Sequence, residues 1–193
     1  MEFFDKTKTI LFNPKEEWTV IEVEDKSHLK VLIEHLLILA LIPVIAILVG
    51  YLLSQDYEFK LGIIKALSQF IMIVVGSYGT AVIINIFADQ FGSSRDFNRT
   101  FSLVAYSYTP LGVAGLLYFY VPIAWLAPYL GLYGFYLLYL GIDSQLKPVS
   151  SKKTLCFIFS LIVMLAIWVI LTKLTMEITN SIMQNEITNS FNK

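Results

Sequence analysis

Residues 29–53 read LKVLIEHLLILALIPVIAILVGYLL, and this stretch decides the fold. Its Glu34 and His35 stand near one end, and from Leu36 onward no side chain carries a formal charge. A helix of ~20 apolar residues crosses the ~30 Å hydrocarbon core of a bilayer. Inside that core a backbone N–H or C=O finds no water, so each must be paired within the chain. Comparable segments recur at about 61–88, 100–120, 123–142 and 154–174. The expected fold is therefore all-α, a polytopic membrane protein with a five-transmembrane-helix bundle and N-terminal interfacial helices.

Composition agrees. The chain has 193 residues and is 56% hydrophobic, against ~45–50% for soluble domains. We divide it into a leader (1–28), a membrane domain (29–174) and a polar tail (175–193), which leaves no room for a second soluble domain. A net charge of −1 disfavours a nucleic-acid partner. The single cysteine, Cys156, rules out an intrachain disulfide. A cleaved signal peptide is not expected. The segment before Leu29 is charged and mixed, and the apolar run exceeds the ~7–15 residues of a signal core.

The leader holds two short elements. Phe3, Phe4, Ile10, Leu11 and Phe12 alternate with Lys6 and Lys8, a pattern suited to a stretch resting on the bilayer surface. Asn13-Pro14-Lys15-Glu16 then reads as a helix start, with Asn13 as N-cap, Pro14 in the first turn and Glu16 three residues on. Trp18 and Ile21 follow one turn apart, and Trp favours the interface. The segment acts either as a solvated anchor for the first span or as a partner-binding element.

Charge gives the orientation. The leader through Lys30 and the loops after spans two and four carry ten of the lysines and arginines, and the opposite side carries four. Positive charge favours the cytoplasmic side, so the N-terminus is expected inside and the C-terminus outside.

No P-loop, GxSxG, HExxH or His/Cys cluster occurs, so no catalytic residue, metal or cofactor is expected. His28 and His35, seven residues apart, share a helix face but have too few partners for a metal site. The polar constellation lies elsewhere. Asp89, Arg95, Asp96 and Arg99 stand at the ends of spans two and three, with Asp143 at the end of span four. Such charges either pair with one another to set helix spacing, or form a surface for a protein partner or an anionic headgroup. Within the spans, Asn85, Tyr106, Pro110, Pro128, Tyr133 and Tyr136 are candidates for an intramembrane groove, because proline frees carbonyls that line cavities. Helix packing is the plainer reading of the tyrosines. Gly76, Thr80, Gly131 and Gly134 suit close packing within one chain or between copies in a homo-oligomer.

Three motifs in order suggest a family: LFNPKEEW at 11–18, AYSYTP at 105–110 and YGFYLLYLG at 133–141. Over roughly residues 8–175 the chain resembles the Yip family of Ypt/Rab-interacting membrane proteins in its compact prokaryotic form. The resemblance implies a five-helix integral membrane domain without known catalytic residues. Eukaryotic members bind Rab-type GTPases and take part in vesicle budding. They carry a long polar N-terminal region and an Asp-Leu-x-Gly-Pro signature, and LFNPKEEW stands in its place here without the Asp and Gly. Two functions fit these readings. One is a non-enzymatic organiser or adaptor docking a partner on its cytoplasmic face, in the cell membrane of a prokaryote. The other is a small transporter or lipid scramblase using a groove around spans three and four. Membrane lipids are partners in both.

Overall fold

The computed structural model describes residues 2–54 and 59–191. Helices α1 (Glu2–Phe12) and α2 (Pro14–Glu24) form the leader. Among the described residues five longer helices follow, each long and apolar enough to cross a membrane: α3 (His28–Leu53), α4 (Phe59–Phe91), α5 (Phe97–Phe119), α6 (Val121–Gln145) and α7 (Ser150–Ile182). No strand is present among the described residues. The protein is thus an all-α integral membrane protein with several spans. The final helix continues without a break to Phe191, so much of the segment read as a polar tail extends α7.

Local chemistry sets the ends of these elements. Pro14 opens α2 as expected, but the Asn13 side chain makes no capping bond. Its backbone joins the two helices instead, with Asn13 N–H donating to Thr9 O (2.7 Å) and Asn13 O accepting from Glu17 N–H (3.1 Å). Helix α2 stops at Asp25, whose φ of 41° lies in the left-handed region. Asp96 caps α5 by accepting from the Arg99 N–H. The interiors are less regular. Helix α3 widens to a π-turn at Leu32–Leu36 before running on through Pro43. Helix α5 restarts at Thr109, where Pro110 has no N–H to give, and tightens to 3-10 geometry at Gly115–Phe119. Helix α6 opens as 3-10 at Val121–Leu126 and restarts at Ala127 ahead of Pro128.

Helix α5 is the axis of the bundle. In its most apolar stretch 78% of residues are buried, against 22–44% in the other four spans. Lipid is as apolar as a leucine side chain, so burial alone does not drive spans together, and close packing must. The glycines permit it. A Cβ on Gly50 would stand 2.6 Å from Phe119 O, and one on Gly115 would stand 2.5 Å from Pro43 Cβ, which brings α3 against the end of α5. A Cβ on Gly134 would stand 2.4 Å from Ser107 O, which does the same for α6. Gly76 and Gly79, in the small-residue run of α4, face Tyr108 and Ile167. Large apolar side chains such as Leu41, Ile45, Ile71, Val75, Ile162 and Val169 stay exposed on the outer faces, as lipid contact requires.

The leader belongs to this bundle. Ile10 and Trp18 are buried in the main core cluster with Leu36, Leu103 and Leu137. Trp18 lies over Gly141, whose missing side chain makes room for the indole. At the hairpin tip the Tyr133 hydroxyl donates to Leu11 O at 3.0 Å.

Candidate functional site

Docking the leader brings together ionisable groups that are scattered along the sequence. Lys6, only 9% exposed, is hydrogen-bonded to Glu24 and stands 3.9 Å from Glu17. Lys26 lies 3.0 Å from Glu34 on α3 and 3.7 Å from Glu24. An isolated charge here would be strongly disfavoured, and the interleaved pairs are what make its burial tolerable. Burial pushes the Glu17 carboxyl above the ordinary carboxylate range. Lys6 pulls against that rise, Glu24 adds to it, and Lys26 opposes it.

Behind this network lies an aromatic wall. His35, buried by the π-turn, bonds through Nε2 to Thr109 Oγ1 at 2.9 Å. Its ring centroid is 4.4 Å from that of Tyr106 and 5.5 Å from that of Phe3. Trp18 meets Tyr106 edge-on at 6.2 Å, and the Lys6 ammonium stands 5.8 Å from the centre of the same ring. Between network and wall is a pocket of about 270 Å³, lined by Phe3, Lys6, Lys26, Glu34, His35, Ile38 and Tyr106. His28 is engaged elsewhere, since its backbone N–H and Nδ1 both meet Asn98 Oδ1, at 2.9 and 2.8 Å. Among the described residues no three His, Cys, Asp or Glu gather in a way that would hold a metal ion.

The polar residues singled out in the sequence lie on the face where the leader joins the spans. Asp89 pairs with Arg95 at 2.7 Å, both side chains more than half exposed. Arg99 reaches Asp25 at 3.3 Å and Asp96 at 3.6 Å, which ties the end of the leader to α5. Asp143 is hydrogen-bonded to Lys153. Further contacts join the loops: Lys147 to Glu22, Lys152 Nζ to Gln90 O at 2.8 Å, and Val149 N–H to Phe91 O at 3.1 Å. Gly92 (φ 74°) packs its bare Cα beneath Val149, which leaves no space for a Cβ. The five candidates therefore share one face, each with an opposite charge beside it.

The groove candidates are dispersed. Asn85 accepts from the Thr100 hydroxyl at 3.3 Å, between α4 and α5. Tyr106 is buried against the leader, and Pro110 is buried within α5. Tyr133 and Tyr136 stand on the exposed surface of α6, their rings 5.5 Å apart. Pro128 lines a smaller cavity of about 120 Å³ with Tyr108, Leu111, Phe135 and Trp168, and none of the other five groove candidates lines it. Of the pocket residues, only Tyr106 was among the groove or docking candidates read from the sequence. Lys6 and Glu24 are eighteen positions apart on different helices, and no periodicity predicts their meeting.

These features define a class, a compact five-helix integral membrane protein whose N-terminal helices are built into the bundle. The profile of the Yip1 domain matches residues 8–171, and the chain belongs to that family. No curated protein and no solved structure gives a significant match.

Proposed function

We propose that the protein is a non-enzymatic membrane organiser of Yip type. Its N-terminal face is cytoplasmic and holds a protein partner through Asp89, Arg95, Asp96, Arg99 and Asp143. One observation carries this reading: the leader, the 89–99 loop and the 143–153 loop are cross-linked by ion pairs and a hydrogen bond into one preformed surface. A preformed surface spares a partner the entropy of ordering loops on binding. The C-terminus then lies outside. The test is capture of the tagged protein from its own membranes, with and without Arg95→Glu. The Arg95–Asp89 pair is exposed, so its loss is worth at most ~1 kcal/mol and leaves the fold intact. A stoichiometric protein lost with the substitution supports the reading. Undiminished recovery rejects this placement.

A second reading, lipid translocation, draws on the phenols exposed along α6, where Tyr129, Tyr133 and Tyr136 are 64%, 36% and 45% exposed. Their hydroxyls offer a polar edge beside the proline-broken start of that helix. Lipid flux in reconstituted vesicles no greater than in empty ones rejects it.

A further inference from the structure

The pocket between the leader and α3 combines three properties that together select a ligand. The first is balanced charge. Lys6, Lys26 and Lys30 are offset by Glu17, Glu24 and Glu34. A ligand with net charge would upset this balance in a partly buried place, whereas one carrying both signs would not. The second is an unused polar atom. His35 Nε2 and Thr109 Oγ1 are hydrogen-bonded to each other at 2.9 Å, and the buried Nδ1 of the same ring has no hydrogen-bond partner among the described residues. A buried polar atom left unpaired costs ~1–3 kcal/mol, which a hydrogen bond with a ligand recovers. The third is an apolar exit. Ile38 forms the lip, and it continues along α3 into Leu41 and Ile45, spaced by three and four residues and 40%, 45% and 58% exposed.

We propose that this pocket binds the headgroup of an ethanolamine-type glycerophospholipid. Its phosphate lies beside Lys6, Lys26 and His35, its ammonium lies on Glu34, and its acyl chains run down Ile38, Leu41 and Ile45. The Glu34 side chain is 40% exposed and accepts hydrogen bonds. A primary ammonium offers three N–H donors and a choline head none, so Glu34 separates the two. A glycerol head carries net negative charge and brings no ammonium to add to Lys26 and Lys30 at Glu34. The site is independent of the partner-docking surface, since Arg95 and Asp89 take no part in it.

The test uses the full-length protein, stripped of lipid in detergent. Stability is read as the temperature at which the buried Cys156 becomes reactive toward a thiol dye. Phosphatidylethanolamine should raise that temperature more than phosphatidylcholine or phosphatidylglycerol at equal concentration. Glu34→Gln should reduce the preference for the ethanolamine lipid roughly tenfold, the worth of one charge-assisted hydrogen bond. Ile38→Trp, which fills the lip and leaves every ion pair intact, should abolish the lipid effect and serves if the Glu34 variant does not fold. Equal shifts from the three lipids would overturn the proposal, as would an undiminished preference in the Glu34 variant. An equal shift from chainless glycerophosphoethanolamine would overturn the lipid assignment.

Discussion

Replacing Lys6 by Met isolates what holds the leader in place. The side chain keeps its length and loses its charge, while Glu17 and Glu24 keep theirs. At 3.9 Å and an effective dielectric of ~20, the Lys6–Glu17 attraction is about 4 kcal/mol before desolvation is counted. Part of this is returned, because the variant no longer strips water from an ammonium. What remains is the penalty of a nearly buried Glu17 that has lost its nearest cation. Removing one partner of a buried pair costs ~3–5 kcal/mol, and the Glu24 side chain, 30% exposed, holds the figure near the lower end. We expect leader opening to become easier by about 3 kcal/mol, which is roughly a hundredfold faster amide exchange at one decade per 1.4 kcal/mol. Hydrogen exchange by mass spectrometry in detergent reads this directly. The rise should be confined to residues 2–24 and the first turns of α3. Exchange there within threefold of the parent would refute the reasoning, and so would an equal rise in α4 and α7, which points to global loosening. Lys6→Met combined with Glu17→Gln should recover part of the loss, since the orphaned carboxylate is then gone.

The other expectations follow from the same structure. Glu17 has a raised folded-state pKa, so its contribution to leader docking is present at low pH and is lost as pH rises through that pKa; Glu17→Gln should flatten this part of the exchange-versus-pH profile without weakening docking at neutral pH. Gly134→Ala puts a Cβ 2.4 Å from the Ser107 carbonyl, a backbone atom that cannot step aside, and should lower the Cys156 exposure temperature by an amount equivalent to ~1–3 kcal/mol. Gly79→Ala meets only the flexible end of Ile167 at 3.3 Å and should change that temperature little. Thr109→Val removes the partner of His35 Nε2 and should cost ~1–3 kcal/mol in the same assay.

The sequence makes the five spans plain, because eighteen or more apolar residues between charged loops admit few structures. Pro110 and Pro128 were legible for the same reason, since a missing N–H interrupts a helix whatever surrounds it. The pairing of Arg99 with Asp25 was not legible. A loop charge finds a partner through tertiary placement, and Asp25 read as one more residue of the leader. The leader itself shows why. Its composition suits an interfacial helix pair, and nothing in its local pattern tells that Trp18 will sit in the notch at Gly141 or that Lys6 will be buried. The notch is written in α6, more than a hundred residues away. His35 was visible as an ionisable group near the membrane entrance, but the π-turn that turns it toward Thr109 was not.

The position of the leader also constrains the lipid beside it. Tyr133 lies twelve residues before Gln145, so the Leu11 carbonyl it holds is about 18 Å along α6 from the end of that helix. Next to this contact Lys15 and Glu16 are exposed, as is Phe12 at 76%. Charged side chains facing hydrocarbon are costly, so acyl chains cannot close around the tip. Water and headgroups must follow the leader up this flank, where the hydroxyls of Tyr133, Tyr136 and Tyr139 meet them, as tyrosine does at interfaces. We therefore expect a thinner leaflet beside α6 than beside α4, whose exposed Ile71, Val75, Val82 and Ile86 form an apolar outer face. A spin label at Phe12 in vesicles, with Cys156 replaced by Ser, tests this. We expect relaxation by a water-soluble nickel chelate to exceed relaxation by oxygen at position 12, and the reverse at Val75. If oxygen dominates at both sites, the hairpin tip lies in hydrocarbon and the thinning argument fails.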